Sequence, residues 1–505
     1  MPAPAVEEPP IGAGPVGRPL VPGRGRPRGP AAALGVGGLA ATVCASAYLA
    51  IGAAGGGYLL DLPVAHPPGW IYGPLRGLAG GGEWLQPSQL SAALIVMLAG
   101  YLLALAFAGA VGLRLAMGAV VIANLAFVLG PTIVSSDVFG YIAYGRELAR
   151  HGLDPYVSPP LALGHEPLLS YVYWKHQPSP YGPLFSMLGV PLGLSSVAFA
   201  LWSYKVLAGA AAVAITALLA RLARERGLDP TRAAIFAGLN PAILFYGVSG
   251  AHNDLLAVCL VVLGLALTLR GLERRGAAAA VAGAAIKLTV GLALPFILLA
   301  ARRRGQALRG AVLAGIVLAV PTLILFGGHF VSQLHRIATD PLFDTLFSGP
   351  DRVAWALGTH ITPAIRTLCT AGAGLVTLIA VLRVWRGSDA VTAAGWAFLA
   401  LLASIASFAP WYLLWLLPFA ALGRSRSLRS CALLLSVFVI AVHLPALGGV
   451  PWLSQAPGSS GRTTRIAVRP GGAAQRPGLI SWTLPAPASA TSTSPLRVST
   501  ATLLG

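Results

Sequence analysis

The chain has 505 residues, 56% of them hydrophobic and only 10% charged, with a formal net charge of +19 and a mean hydropathy of +0.75. That balance excludes an ordinary soluble globular protein and describes a membrane protein. Cys44, Cys259, Cys369 and Cys431 all fall inside apolar runs without metal-ligand spacing, so they read as small core residues and no metal site is expected.

Residues 1–30 are rich in proline, glycine and arginine and lack the apolar core of a cleavable signal peptide. They are expected to form a disordered cytoplasmic tail. Runs long enough to cross a hydrocarbon core of roughly 30 Å follow near 31–53, 89–110, 115–134, 201–220, 233–250, 254–270, 310–327, 366–382, 390–408, 411–422 and 430–449. Segment 276–300 is apolar too, but it lies between "RGLERRG" and "ARRRG". Both flanks then belong on one side, and the segment reads as two half-helices that dip in and return, with two tight full spans as the alternative. Residues 451–505 hold Ser, Thr, Pro, Ala and arginine but no acid, and are expected to be a disordered polar tail. The expected architecture is therefore all-α and polytopic, with a membrane unit over 31–450 and about 11 to 13 spans.

Arginine and lysine near span ends are retained on the cytoplasmic side, which orients the chain. With the amino terminus inside, most arginines from Arg18 to Arg429 fall on the inner segments. Through residue 365 only Arg76, Arg146, Arg150, Lys175, Arg336 and Arg352 fall outside, together with Asp61, Glu83, Asp137, Glu147, Asp154, Glu166, Asp254, Asp340, Asp344 and Asp351. The net positive charge is thus mostly a topogenic signal, and nucleic-acid binding is not implied.

This orientation places several polar clusters at the outer surface. In "SSDVFGYIAYGRELARHGLDPY", residues 135–156, Asp137 follows the third span and begins a helix that Ser135 or Ser136 can cap. A helix start favours the ionised carboxylate. Tyr141 and Tyr144 follow at i+4 and i+7 on the same face, with Arg146 nearby. A carboxylate beside aromatic rings suits a sugar, and a tyrosine belt at the interface is the plainer alternative. "YWKHQPSPYGPLFSML", residues 173–188, cannot form a regular span and presents Lys175, His176 and Tyr181. "SGAHNDLLA", residues 249–257, puts His252, Asn253 and Asp254 at an outer mouth. "SFAPWYLLWLLPF", residues 407–419, puts Trp411 and Tyr412 at another. Lys287, in "AAIKLTVGLALPF", lies about 15 Å from the inner flank at 1.5 Å per residue, and a cation at such depth usually faces a polar cavity or a bound anion.

A base, cations and aromatics on one side suit sugar transfer from a lipid phosphate. Such a donor carries its own leaving group, so one carboxylate to deprotonate the acceptor and cations for the departing phosphate suffice. No P-loop or dinucleotide glycine fingerprint is present, and no cofactor is expected.

Taken together, "SSDVFGYIAYGRELARHGLDPY", "PSPYGPLF", "GAHNDLL" and "IKLTVGLALPF" resemble the actinobacterial polyprenol-phosphate-mannose-dependent α-1,6-mannosyltransferases of lipomannan synthesis, integral membrane glycosyltransferases of the C superfamily. The resemblance covers roughly residues 90 to 450. It implies the glycosyltransferase C-type fold with outward-facing catalytic loops, a polyprenyl-phosphate mannose donor, a mannan or lipomannan acceptor, and catalysis outside the plasma membrane. It further implies inversion at the anomeric carbon with Asp137 as general base.

Transfer of arabinose or another sugar from a polyprenyl phosphate is the nearest alternative, because the donor sugar depends on pocket contacts. A transporter or flippase for lipid-linked sugars would also be polytopic, but would be expected to show repeated halves and mid-membrane polar breaks.

Overall fold

The computed structural model describes residues 29–442 apart from 57–63, 65–66, 81–84, 340–343 and 346, and also residue 444. Of the tail expected at 1–30 all but Gly29 and Pro30 lies outside the described residues, as do the tail expected at 451–505 and the end of the run at 430–449. Among the described residues every regular element is helical.

The first three helices are α1 (Pro30–Ala54), α2 (Pro87–Ala106) and α3 (Leu113–Leu129). α4 (Asp137–His151) and α5 (Pro183–Leu194) flank a loop-rich stretch. α6 (Val197–Glu225), α7 (Pro230–Gly238), α8 (Asp254–Leu269), α9 (Glu273–Ile286), α10 (Leu294–Ala300) and α11 (Arg304–Phe326) form the middle of the chain. α12 (His329–Thr339), α13 (Gly349–Ala356), α14 (Pro363–Trp385), α15 (Ala390–Ser404), α16 (Leu413–Leu422) and α17 (Arg426–Val442) follow. Many starts are legible locally. Pro30, Pro87, Pro183, Pro230 and Pro363 begin helices where a missing N–H costs nothing. Ser196, Asp229, Thr362 and Asp389 accept first-turn N–H groups.

Five described helices, α1, α2, α6, α11 and α14, are long and apolar enough to cross a membrane, and shorter apolar helices account for most other expected spans. The run at 233–250 is not one helix. α7 ends at Gly238, and Pro241, which cannot continue an α-helix ladder, leads into a π-type turn over Ile243–Val248. Asn240 stabilises the break by accepting the Ala242 N–H at 3.1 Å and donating to Ser436 Oγ at 2.9 Å.

Segment 276–300 does leave and return to the same end of the bundle. α9 stops at Lys287, whose backbone is extended, and a 3-10 turn over Leu288–Ala293 leads into α10. At the far end the Arg303 guanidinium donates to the Gly271 carbonyl at 3.5 Å and lies 3.7 Å from Glu273. Lys287 therefore sits at the bend.

Two close approaches lock the loop-rich stretch to the bundle. A Cβ on Gly193 would lie 2.4 Å from the Gly145 carbonyl, so α4 and α5 meet backbone to backbone. Gly182 donates its N–H to the Ile286 carbonyl at 2.9 Å, and a Cβ there would lie 2.1 Å from the Ala285 oxygen. Glycine at 182 thus seats Tyr181 beside the bend that carries Lys287.

Candidate active site

Two helices begin on an aspartate, α4 on Asp137 and α8 on Asp254. Three residues before each lies a non-glycine residue in the left-handed region, Val134 with φ 61° and Ala251 with φ 53°. No other described non-glycine residue has a positive φ. Such conformations cost on the order of 1–3 kcal/mol each and persist where surroundings enforce them. Here part of the enforcement comes from Lys205 on α6, fully buried, which donates to the carbonyls of Pro131 at 3.1 Å and Ser249 at 2.9 Å. One ammonium thus ties together the two turns that aim the two aspartates.

The aspartates differ. Asp254 is fully buried; its Oδ1 accepts the Trp415 indole N–H at 2.8 Å and its Oδ2 lies 3.4 Å from Lys287 Nζ. The same ammonium lies 5.4 Å from the Tyr181 ring centroid and 5.5 Å from that of Tyr412, within cation–π range. Asp137 keeps 15% of its side chain exposed; its Oδ1 accepts the Trp174 indole N–H at 3.2 Å, and its Oδ2 faces His252 Nδ1 at 3.6 Å. Ser135, not Ser136, provides the side-chain oxygen at this helix start, accepting the Asp137 N–H at 3.3 Å.

His252 is held by a stack on Trp411, with ring centroids 3.8 Å apart and planes 17° from parallel. Burial first, and then the nearby Lys287 charge, hold its pKa well below the usual histidine range. It is therefore a neutral imidazole at pH 7. Its Nε2, and both polar side-chain atoms of Asn253, are buried with no hydrogen-bond partner among the described residues. Unpaired buried polar atoms are uncommon and suit a polar ligand.

The tyrosines support this cluster from below. Tyr141 is buried edge-on against Tyr181, Phe185 and Tyr204 at 4.9, 5.0 and 5.6 Å, and its hydroxyl accepts the Asn253 N–H at 3.5 Å. Tyr144 is buried and donates to the Gln177 carbonyl at 2.9 Å. Tyr412 stacks on Trp415 at 4.2 Å.

Of the residues expected from sequence, Asp137, Tyr141, Tyr181, His252, Asn253, Asp254, Lys287, Trp411 and Tyr412 come together, with Tyr144 just beneath. Arg146 turns elsewhere: it is buried, ion-paired with Glu166, and donates to the Ser195 carbonyl at 3.2 Å. Lys175 and His176 are exposed and, among the described residues, make no hydrogen bond or ion pair to the cluster. Trp174, Trp415 and Lys205 lie outside the expected set. The tryptophans read as belt residues until their N–H partners are seen, whereas a lysine in the apolar run 201–220 is a signal of the same kind as Lys287. Glu147 on α4 is likewise buried, and its pKa is pushed up to about 9 by burial, with Asp154 adding to it. Both of its carboxyl oxygens are buried with no hydrogen-bond partner among the described residues. Among the described residues no group of three His, Cys, Asp or Glu side chains is placed to hold a metal ion.

Residues 39–303 match the family described as alpha-(1->6)-mannopyranosyltransferase, N-terminal domain, and residues 352–454 match the MptB C-terminal domain. The chain is 29% identical over 360 residues to alpha-(1->6)-mannopyranosyltransferase A of Mycobacterium tuberculosis, covering 64% of this chain and 69% of that one. It is 27% identical over 408 residues to a second alpha-(1->6)-mannopyranosyltransferase of the same organism, covering 64% and 68%. A third relative, alpha-(1->6)-mannopyranosyltransferase A of Corynebacterium glutamicum, is 31% identical over 170 residues, 33% of this chain and 34% of its own. No solved structure matches the chain. The first match reaches the amino-terminal helix α1, well beyond the 90–450 over which the motifs alone carried the resemblance, and it spans all the aspartate, histidine and lysine positions of the cluster. The chain belongs to the alpha-(1->6)-mannopyranosyltransferase family.

Proposed function

We propose that the chain is an inverting mannosyltransferase that moves mannose from a polyprenyl-phosphate donor to a mannan or lipomannan acceptor, forming α-1,6 links on the outer side of the plasma membrane. The observation that carries this reading is the pairing of unlike carboxylates. Asp137 is reachable and faces a neutral imidazole, whereas Asp254 is sealed against Lys287 and Trp415.

In this reading the acceptor's 6-hydroxyl attacks the anomeric carbon from the face opposite the phosphate. The new C–O bond forms as the bond to the phosphate oxygen breaks, and the hydroxyl proton passes to Asp137. A positioned base typically contributes about 100- to 10,000-fold. The departing phosphate gains charge, and Lys287, of whose three N–H donors one is directed at Asp254, supplies the cation there. The N-termini of α4 and α8 add partial positive charge at the same place. Asn253 and His252 Nε2 offer hydrogen bonds to sugar hydroxyls, and Trp411 and Tyr181 offer faces for its C–H groups.

The test is transfer by membranes containing the protein, from radiolabelled polyprenyl-phosphate mannose to a short α-1,6-mannoside. Labelled, acid-stable α-1,6 product is expected; transfer of another sugar in its place would overturn the donor assignment. Sidedness is tested separately in a cysteine-free background. Ala162→Cys should react with a membrane-impermeant thiol reagent in intact cells, and Gly305→Cys should not, because arginine density assigns them to opposite sides. The reverse pattern would move the site to the cytoplasm.

A further inference from the structure

At the end of the bundle opposite the aspartates, the last turn of α2, the start of α7, the end of α16 and the start of α17 border two adjoining half-open cavities. Their volumes are about 250 and 330 Å³, and they share Arg232, Phe236 and Arg429. Arg426 lines the second. Three guanidinium groups therefore border one space whose other walls are mostly apolar, chiefly Phe236, Leu105 and Leu433, with Asp229 and Ser430 the polar exceptions.

Some arginines at that end meet acids and many face solvent singly; these three differ in sharing one space. Arg226 pairs with Asp389 at 2.8 Å, Arg270 with Glu225 at 2.7 Å, and Arg303 faces Glu273 at 3.7 Å. Among the described residues Asp229 is the lone acid in the cavity lining, one carboxylate against three guanidinium groups, and its Oδ1 accepts the N–H groups of Thr231 and Arg232 as the cap of α7. Arg429 donates to the Gly423 carbonyl at 2.6 Å, which fixes its head at the cavity edge without neutralising it. Like charges clustered around an apolar cavity repel one another unless an anion joins them. Guanidinium forks match phosphate oxygens in pairs, and the apolar walls match a glycerol backbone and acyl chain.

We propose that this cavity is a binding site for the phosphate of an anionic phospholipid, which the topology above places in the cytoplasmic leaflet. Basic pockets between helices on that side take such headgroups. The site is separate from the transfer chemistry: it lies at the far end of α16, whose other end meets the cluster through Trp415.

The experiment uses the purified full-length protein in neutral detergent and follows thermal unfolding. It is titrated with dihexanoyl phosphatidylglycerol, dihexanoyl phosphatidylcholine, or inorganic phosphate. Phosphatidylglycerol should give its half-maximal shift at a concentration at least about tenfold below that of phosphatidylcholine, and inorganic phosphate should not reproduce it. The exposed pair Arg232→Gln with Arg426→Gln should abolish the preference. Arg383→Gln with Arg386→Gln, at the same end but outside the cavity, should leave it intact. Should the first pair fail to fold, either single replacement should weaken the preference by several-fold. Absence of a preference in the unaltered protein overturns the proposal, as does equal loss in both pairs, which would mark diffuse positive charge. An equal shift with inorganic phosphate would make the ligand a free anion and overturn the lipid assignment. No outcome depends on mannosyl transfer.

Discussion

Asp137 and Asp254 start from the same local design, an aspartate at the first position of a helix three residues after a left-handed turn, and end in opposite environments. Asp254 has no exposure and both oxygens engaged, one by an indole and one facing an ammonium. Asp137 remains partly exposed beside an imidazole that burial keeps neutral. A sealed ion pair fixes geometry, whereas an accessible carboxylate can take a proton from a substrate. Placement within the bundle, and not helix position alone, thus decides which of the two carboxylates stays accessible.

The comparison breaks most sharply at Asp137. Asp137→Asn should lower turnover by about 100- to 10,000-fold with the amount of membrane protein unchanged. Turnover near that of the unaltered protein would move the base elsewhere. At Lys287 the first effect should be on stability. Lys287→Met leaves the buried Asp254 without its counter-charge, a loss of about 3–5 kcal/mol for such pairs, seen as depleted protein in membranes. Adding Asp254→Asn removes the orphaned charge and should restore much of the protein level but not transfer, because the donor phosphate still lacks its cation. Recovery of transfer in that double variant would leave Lys287 a purely structural partner. The smallest effect belongs to the exposed loop. Lys175→Gln and His176→Gln should each stay within about twofold of the unaltered rate, since surface changes away from contacts usually shift free energies by under about 0.5 kcal/mol. A tenfold loss at either would mean that the 171–177 turn folds over the bound donor.

Much of this site is legible because polar residues in an apolar chain are conspicuous. Asp137, the His252–Asn253–Asp254 run and Lys287 stand out for that reason, and the arginine flanks of 276–300 announce a segment that returns to its starting end. What cannot be read is which polar group meets which. The Trp415–Asp254 bond joins residues 161 positions apart, and the Lys205 bonds to Pro131 and Ser249 reach 74 and 44 positions. Arg146 follows Tyr141 and Tyr144 closely in sequence, yet nothing local reveals that its side chain leaves their face and turns to Glu166. The run at 233–250 misleads because hydropathy averages over a break that Asn240 and Pro241 impose.

The most direct test of Asp137 as the base is an acceptor that does not need one. A short α-1,6-mannoside with a thiol in place of its 6-hydroxyl ionises far more readily than the alcohol and attacks well as the thiolate. Turnover of Asp137→Asn should be measured with both acceptors under saturating donor. The expected loss is about 100- to 10,000-fold with the hydroxyl acceptor and less than about tenfold with the thiol acceptor. An equal loss with both would contradict it, and would make Asp137 a residue that holds the donor instead of one that takes the proton.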